Sequence, residues 1–129
     1  MGAKIKGAGS SQIEIEGVKQ LKDVSYNIMS DRIEAGTFLC IAAMNHSNII
    51  VKNIDEDHII PIIDKLEETG CELEIEHRQI QIKAPKKLKS VNIKTMPYPG
   101  FPTDMQSIFA SMLCTAKGTS MMIENIFEN

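Results

Sequence analysis

No apolar run in this sequence approaches the ~20 residues that a membrane-crossing helix needs, so no such span is expected. No basic lead followed by an apolar stretch opens the chain, and no secretion signal is expected either. Cysteine is scarce. Cys40, Cys71 and Cys114 are odd in number, widely spaced and without a Cys-x-x-Cys pair. That spacing argues against a disulfide framework and against a zinc site. The three are read as buried or inert thiols, because free cysteine packs as a small hydrophobe. Positive charge is not in excess: the net charge is −3 and the pI is near 5.6. A nucleic-acid partner is therefore not expected, since neutralising phosphates needs a basic face. The longest basic stretch, residues 83–89, reads as a solvated strand-and-turn surface. Also missing are Gly-x-x-x-x-Gly-Lys-Ser/Thr and Gly-x-Ser-x-Gly, so neither a phosphate loop nor a nucleophile elbow is present. Gly7-Ala8-Gly9 is a hairpin turn. These absences point to a cytoplasmic protein with no membrane or nucleic-acid partner, no metal and no cofactor.

What is present suits a folded domain. The chain has 129 residues, 43% of them hydrophobic and 24% charged, which is enough for a core and too apolar for disorder. Residues 3–6 and 12–16 alternate around Ile5, Ile13 and Ile15 and predict a hairpin. Residues 24–29 predict a further strand. Asp31-Arg32-Ile33-Glu34 then has the form of a capping box, opening a helix whose apolar body ends near Asn45. A strand is expected over 49–54. A second helix is expected over about 57–69, with Ile59, Ile63 and Leu66 as its stripe, Pro61 in its first turn and Gly70 as its stop. Leu73 with Ile75, and Ile80 with Ile82, predict two strands joined at His77-Arg78. Thr103-Asp104-Met105-Gln106 repeats the capping-box form before a helix to about Lys117, and a strand is expected over 121–126. His46, His58 and His77 have no i, i+4 partner and read as solvent-facing. The eight methionines read as core filling, with Met44, Met105, Met112, Met121 and Met122 on apolar faces.

The two halves align. Leu21-Lys22-Asp23-Val24 matches Leu88-Lys89-Ser90-Val91 at an offset of 67, whereas Asp31 matches Thr103 and Asn53 matches Asn125 at 72. A duplicated unit of this size indicates an architecture that repeats one motif. The change of offset leaves five extra residues in the second copy, within Pro97-Tyr98-Pro99-Gly100-Phe101-Pro102. Three prolines stiffen this loop, and Tyr98 and Phe101 are expected to add apolar surface. It feeds into a helix start, a place suited to polar ligands, although Asp and Pro are also common there for structural reasons alone.

Three segments resemble the UDP-N-acetylglucosamine 1-carboxyvinyltransferases, a branch of the enolpyruvyl transferase family. They are Asp31-Arg32-Ile33-Glu34-Ala35-Gly36-Thr37-Phe38, the string from Pro97 through Thr103-Asp104-Met105-Gln106, and Ile123-Glu124-Asn125-Ile126-Phe127-Glu128-Asn129. The resemblance implies a mixed α/β (α+β) fold, part of the inside-out α/β barrel or α-β prism built from repeated βαβαββ-type units. It implies that residues 1–30 are closing strands of one lobe and 31–129 about two units of the second. The chain is expected to be an internal segment covering well under half of the family's length.

By the same resemblance, the family transfers enolpyruvyl from phosphoenolpyruvate to the 3-hydroxyl of UDP-N-acetylglucosamine, the first step of peptidoglycan synthesis. Asp104 matches the carboxylate that meets that hydroxyl and is proposed as its base. Thr103, Ile126 (through its backbone) and Phe127 match positions that contact the nucleotide sugar. A carboxylate is a weak base at neutral pH, so orientation and charge stabilisation are its larger expected contributions. The family's reactive cysteine and its phosphoenolpyruvate-binding lysine and arginines have no counterparts here. Phosphoenolpyruvate is thus expected to bind only in the full-length enzyme, and no turnover is expected from this chain alone. The alternative is a non-catalytic binding or assembly module, self-associating through exposed strand edges.

Overall fold

The computed structural model describes residues 1–127. The predicted hairpin forms as β1 (Lys4–Lys6) and β2 (Glu14–Glu16), paired antiparallel with Ile5 opposite Ile15. Residues 24–29 form no strand. Val24, Tyr26, Ile28 and Met29 are all exposed. Alternation makes a segment fit for a strand, but a strand also needs a neighbour to satisfy its backbone, and none lies beside it among the described residues.

Helix α1 (Arg32–Met44) starts where its cap predicts. Asp31 Oδ1 accepts from the backbone N–H groups of Ile33 (2.8 Å) and Glu34 (3.1 Å). Removing such a cap costs about 1 kcal/mol. The buried face of α1 is Ala35, Gly36, Leu39, Cys40, Ala42 and Ala43. These small residues let neighbouring elements approach closely. A Cβ on Gly36 would stand 3.0 Å from the Met105 side chain and 3.1 Å from Ile62.

Strand β3 (Asn48–Lys52) follows, then a 3-10 turn over Glu56–His58 and helix α2 (Ile60–Glu68). Pro61 sits in the first turn of α2, where its missing N–H costs nothing. Gly70, at φ +96°, carries the chain out of the helix. Strands β4 (Glu72–Glu76) and β5 (Gln79–Lys83) form the second predicted hairpin, with Arg78 at φ 56° in its turn. The antiparallel sheet has the order β3-β5-β4, and its register puts Ile49 and Leu73 beside Ile82, and Val51 and Ile75 beside Ile80. One face is therefore aliphatic and packs on the helices. The other carries Lys52, Gln81, Glu72, Glu74 and Glu76 into solvent.

The rest of the chain builds the second copy. Strand β6 (Ile93–Lys94) pairs in parallel with β7 (Met122–Ile123), and helix α3 (Gln106–Leu113) lies between them in sequence. The helix and the last strand are shorter than their patterns suggest. The core runs from Ala35 to Met112 and includes Leu39, Ile59, Ile62, Leu66, Ile80, Ile82, Leu88, Ile93, Phe101, Met105 and Phe109. Each fully buried aliphatic side chain contributes roughly 1.5–3 kcal/mol. Leu88 is buried and its counterpart Leu21 is half exposed, so matching sequence does not give the two copies matching surroundings. Met105 and Met112 fill core as expected, while Met121 is exposed. His46 and His77 face solvent and His58 is partly covered. No helix among the described residues is long and apolar enough to cross a membrane.

Candidate functional site

The proline-rich loop is anchored rather than merely stiff. Gly100 N–H donates to Pro97 O (2.8 Å) and Met96 N–H to Phe101 O (2.9 Å), closing a tight turn with a cis Tyr98–Pro99 peptide. A Cβ on Gly100 would stand 2.5 Å from Met96 Cβ, so the turn needs glycine for space. Contrary to the expectation from sequence, Phe101 does not add surface. It is 5% exposed and meets Phe109 of α3 edge-to-face, with ring centroids 5.2 Å apart. Tyr98 does stay exposed, beneath the Arg32 guanidinium, which lies 5.5 Å from its ring centroid.

A 3-10 turn over Thr103–Met105 follows. The second capping box does not form: no side chain caps this turn or α3. The Thr103 hydroxyl instead donates to Glu124 Oε2 at 2.8 Å. A charged acceptor just beyond β7 outcompetes the local backbone. Phe101 and Met105 are both buried, and Asp104 projects outward between them.

Glu124 joins the loop to the chain's last described segment. Its Oε1 accepts from Thr95 Oγ1 (2.8 Å) and from the backbone N–H groups of Ile126 and Phe127. Partial burial opposes its charge, but the bonds from Ile126 N–H, Thr103, Thr95 and Phe127 N–H prevail and hold its carboxyl down at about 2. Thr95 is fully buried, and its hydroxyl also accepts from Asn125 N–H (2.9 Å).

Thr103, Asp104 and Ile126 line one small cleft of about 120 Å³, with Arg32, Tyr98 and Pro102. Asp104, Arg32 and Tyr98 also border a larger open cleft of about 460 Å³ that reaches Ser30, Asp31 and His58. Three of the four expected site residues are thus together. Phe127 is 68% exposed and does not line the small cleft. The chemistry offered is a free carboxylate, an arginine on an aromatic face and backbone from the segment after β7. That set suits a polar ligand carrying hydroxyls.

The family model for EPSP synthase (3-phosphoshikimate 1-carboxyvinyltransferase) matches residues 1–129. The chain belongs to the EPSP synthase family. Among curated relatives, UDP-N-acetylglucosamine 1-carboxyvinyltransferase 1 of Caldanaerobacter subterraneus subsp. tengcongensis is 50% identical over 129 residues, covering 100% of this chain and 31% of the relative. The UDP-N-acetylglucosamine 1-carboxyvinyltransferase of Geotalea daltonii is 48% identical over the same shares. The EPSP synthase-family chain therefore spans about 31% of the length of these relatives. The crystal structure of the enolpyruvyl transferase NikO from Streptomyces tendae matches it with a TM-score of 0.79 at 22% identity, over 99% of this chain and 31% of that one. The mixed α/β fold expected from the resemblance is the fold found, and the relatives are those the three segments resemble.

The sequence assigned no site role to Arg32, Tyr98 or Glu124 in this family member, although all three lie inside the segments that carried the resemblance. Only the folded chain shows Arg32 over Tyr98, 66 positions on, or Glu124 bonded to Thr103.

Proposed function

We propose that this chain is the part of a UDP-N-acetylglucosamine enolpyruvyl transferase that presents the acceptor sugar. Residues 1–30 belong to one lobe and 31–129 to the other. The cleft of Thr103, Asp104 and Ile126 holds the sugar, with Phe127 at its margin. The Asp104 carboxylate accepts from the sugar 3-hydroxyl and orients its oxygen toward phosphoenolpyruvate, which is held by residues outside this chain. As that oxygen bonds to the phosphoenolpyruvate carbon, whose double bond opens while its methylene takes a proton from residues outside this chain, the oxygen becomes oxonium-like. The carboxylate stabilises that positive charge and then takes the hydroxyl proton. The observation that carries the reading is an exposed carboxylate on a turn anchored by Phe101 and Met105 and tied through Glu124 to the segment that follows β7. Identity near 50% to enzymes of that name supports the choice of acceptor.

Titration of the chain with UDP-N-acetylglucosamine, followed by amide NMR, tests this. Shifts are expected at Thr103, Asp104 and Ile126, with none in Asp104→Ala. Silence at these amides up to the solubility of the ligand would remove the reading. No phosphate release from phosphoenolpyruvate is expected from the chain alone. In the complete encoded polypeptide, Asp104→Ala is expected to lower kcat/KM by about a hundredfold or more.

A further inference from the structure

Strand β7 ends at Ile123, so the segment that places Ile126 in the cleft has left the sheet ladder. Asn125 is still tied to Thr95, by its backbone N–H to the hydroxyl and by its side-chain amide to the carbonyl. Beyond it, the backbone N–H groups of Ile126 and Phe127 both go to the carboxylate of Glu124. The same carboxylate takes the hydroxyl of Thr103, the residue before Asp104, and that of Thr95, which is fully buried and does not line the cleft. One side chain thus ties together the two cleft walls, the Thr103 turn and the backbone at Ile126. A charged acceptor with four donors converging on it fixes geometry more firmly than any of those bonds would singly.

We infer that Glu124 is a positioning residue for acceptor-sugar binding, holding the backbone at Ile126 and the turn bearing Asp104 in one fixed relation. The inference rests on the proposed acceptor role of that cleft. Glu124 does not itself line the cleft. It acts through Ile126 and Thr103.

The test uses the complete encoded polypeptide with UDP-N-acetylglucosamine and phosphoenolpyruvate as the varied substrates. Glu124→Ala leaves the N–H groups of Ile126 and Phe127 without their acceptor. It is expected to raise KM for the nucleotide sugar about tenfold, the scale of lost charge-assisted bonds, with KM for phosphoenolpyruvate unchanged. Glu124→Gln keeps the shape. Its amide oxygen replaces Oε1, and its NH2 donates to the Thr103 hydroxyl, which can also accept. It is expected to recover most of the lost affinity.

Unchanged nucleotide-sugar KM in Glu124→Ala overturns the inference while leaving the acceptor role intact. So does an equal rise in both KM values accompanied by a lower melting temperature, which marks general loosening. Equal losses in the Ala and Gln variants overturn it too, because a side chain of the same shape and hydrogen-bonding reach would then fail to restore the placement. If the unsubstituted protein shows no nucleotide-sugar binding, the acceptor role itself falls and takes the inference with it. Should Glu124→Ala fail to fold, Thr95→Val decides. It removes one donor to Oε1 from outside the cleft, and is expected to weaken nucleotide-sugar binding selectively, with Thr95→Ser restoring it.

Discussion

Burial separates the cysteines, which composition alone could only group. Cys40 and Cys71 are buried and Cys114 is exposed. Desolvation, and then the neighbouring Cys71, push the Cys40 thiol up to about 12. Burial also raises Cys71, against a weaker opposing contact from the Thr69 hydroxyl. The reactive form is the thiolate, so neither buried thiol should react in the folded chain at neutral pH. A thiol-exchange reagent is expected to modify Cys114 alone under native conditions, and Cys114→Ser should abolish the fast phase. Modification of all three at one rate would show that the core around α1 opens readily. Glu124 gives a second residue-scale expectation. Its folded carboxyl lies at about 2, below the ordinary ~4.3 of an unfolded glutamate. Its charged form therefore stabilises the fold fully above the unfolded value, and the contribution is lost as pH falls toward about 2. The urea midpoints of the parent chain and Glu124→Gln should differ at neutral pH and converge in strong acid. A constant difference across that range would contradict the depressed carboxyl.

Between residue and fold, the proline-rich turn is the element whose integrity can be tested apart from its chemistry. Phe101 is its anchor, and Phe101→Ala should destabilise the chain by about 3–5 kcal/mol, measured by chemical denaturation. Gly100→Ala should also destabilise it, because its Cβ would meet Met96 Cβ at 2.5 Å inside a turn closed by two backbone hydrogen bonds. A neutral Gly100→Ala would mean that the turn is looser than its two hydrogen bonds imply. The contrast between these residues shows what was legible in the sequence. Helices α1 and α2 and the β4–β5 hairpin follow from local pattern and caps, because their stripes and turns are written within a dozen residues. The strand expected at 24–29 and the cap expected at Thr103 failed for a shared reason. Each depended on a partner remote in sequence, missing in the first case and competing in the second. The same holds for the site. Thr103, Asp104 and Ile126 were legible through motif resemblance, whereas the roles of Arg32 and Glu124 exist only through contacts made across the fold.

At the scale of the whole molecule, apolar exposure is uneven. Nine of the nineteen exposed large hydrophobic residues lie in the first 29, among them Ile5, Ile15, Val24, Tyr26 and Ile28. Every residue from 1 to 29 is exposed except Val18, which is only partly covered, so this segment contributes nothing to the core that begins at Ala35. Exposed apolar side chains concentrated in one segment tend to be covered by another surface. The relatives have more than twice as much further chain with which to cover it, since this chain spans 31% of their length. Alone, it is expected to cover the surface with a second copy. Sheet edges are the weaker cause, because β4 carries Glu72, Glu74 and Glu76, and repeated charge on an edge strand discourages pairing. The two causes separate experimentally. Light scattering on the isolated chain should report a species larger than one copy, and the double variant Val24→Lys with Ile28→Lys should return it to a monomer without moving its melting temperature. A monodisperse monomer of the parent chain at its highest soluble concentration would eliminate self-association. Persistence of the oligomer in the lysine variant would shift the contact away from 24–29 and onto the open edges of β3 or β4.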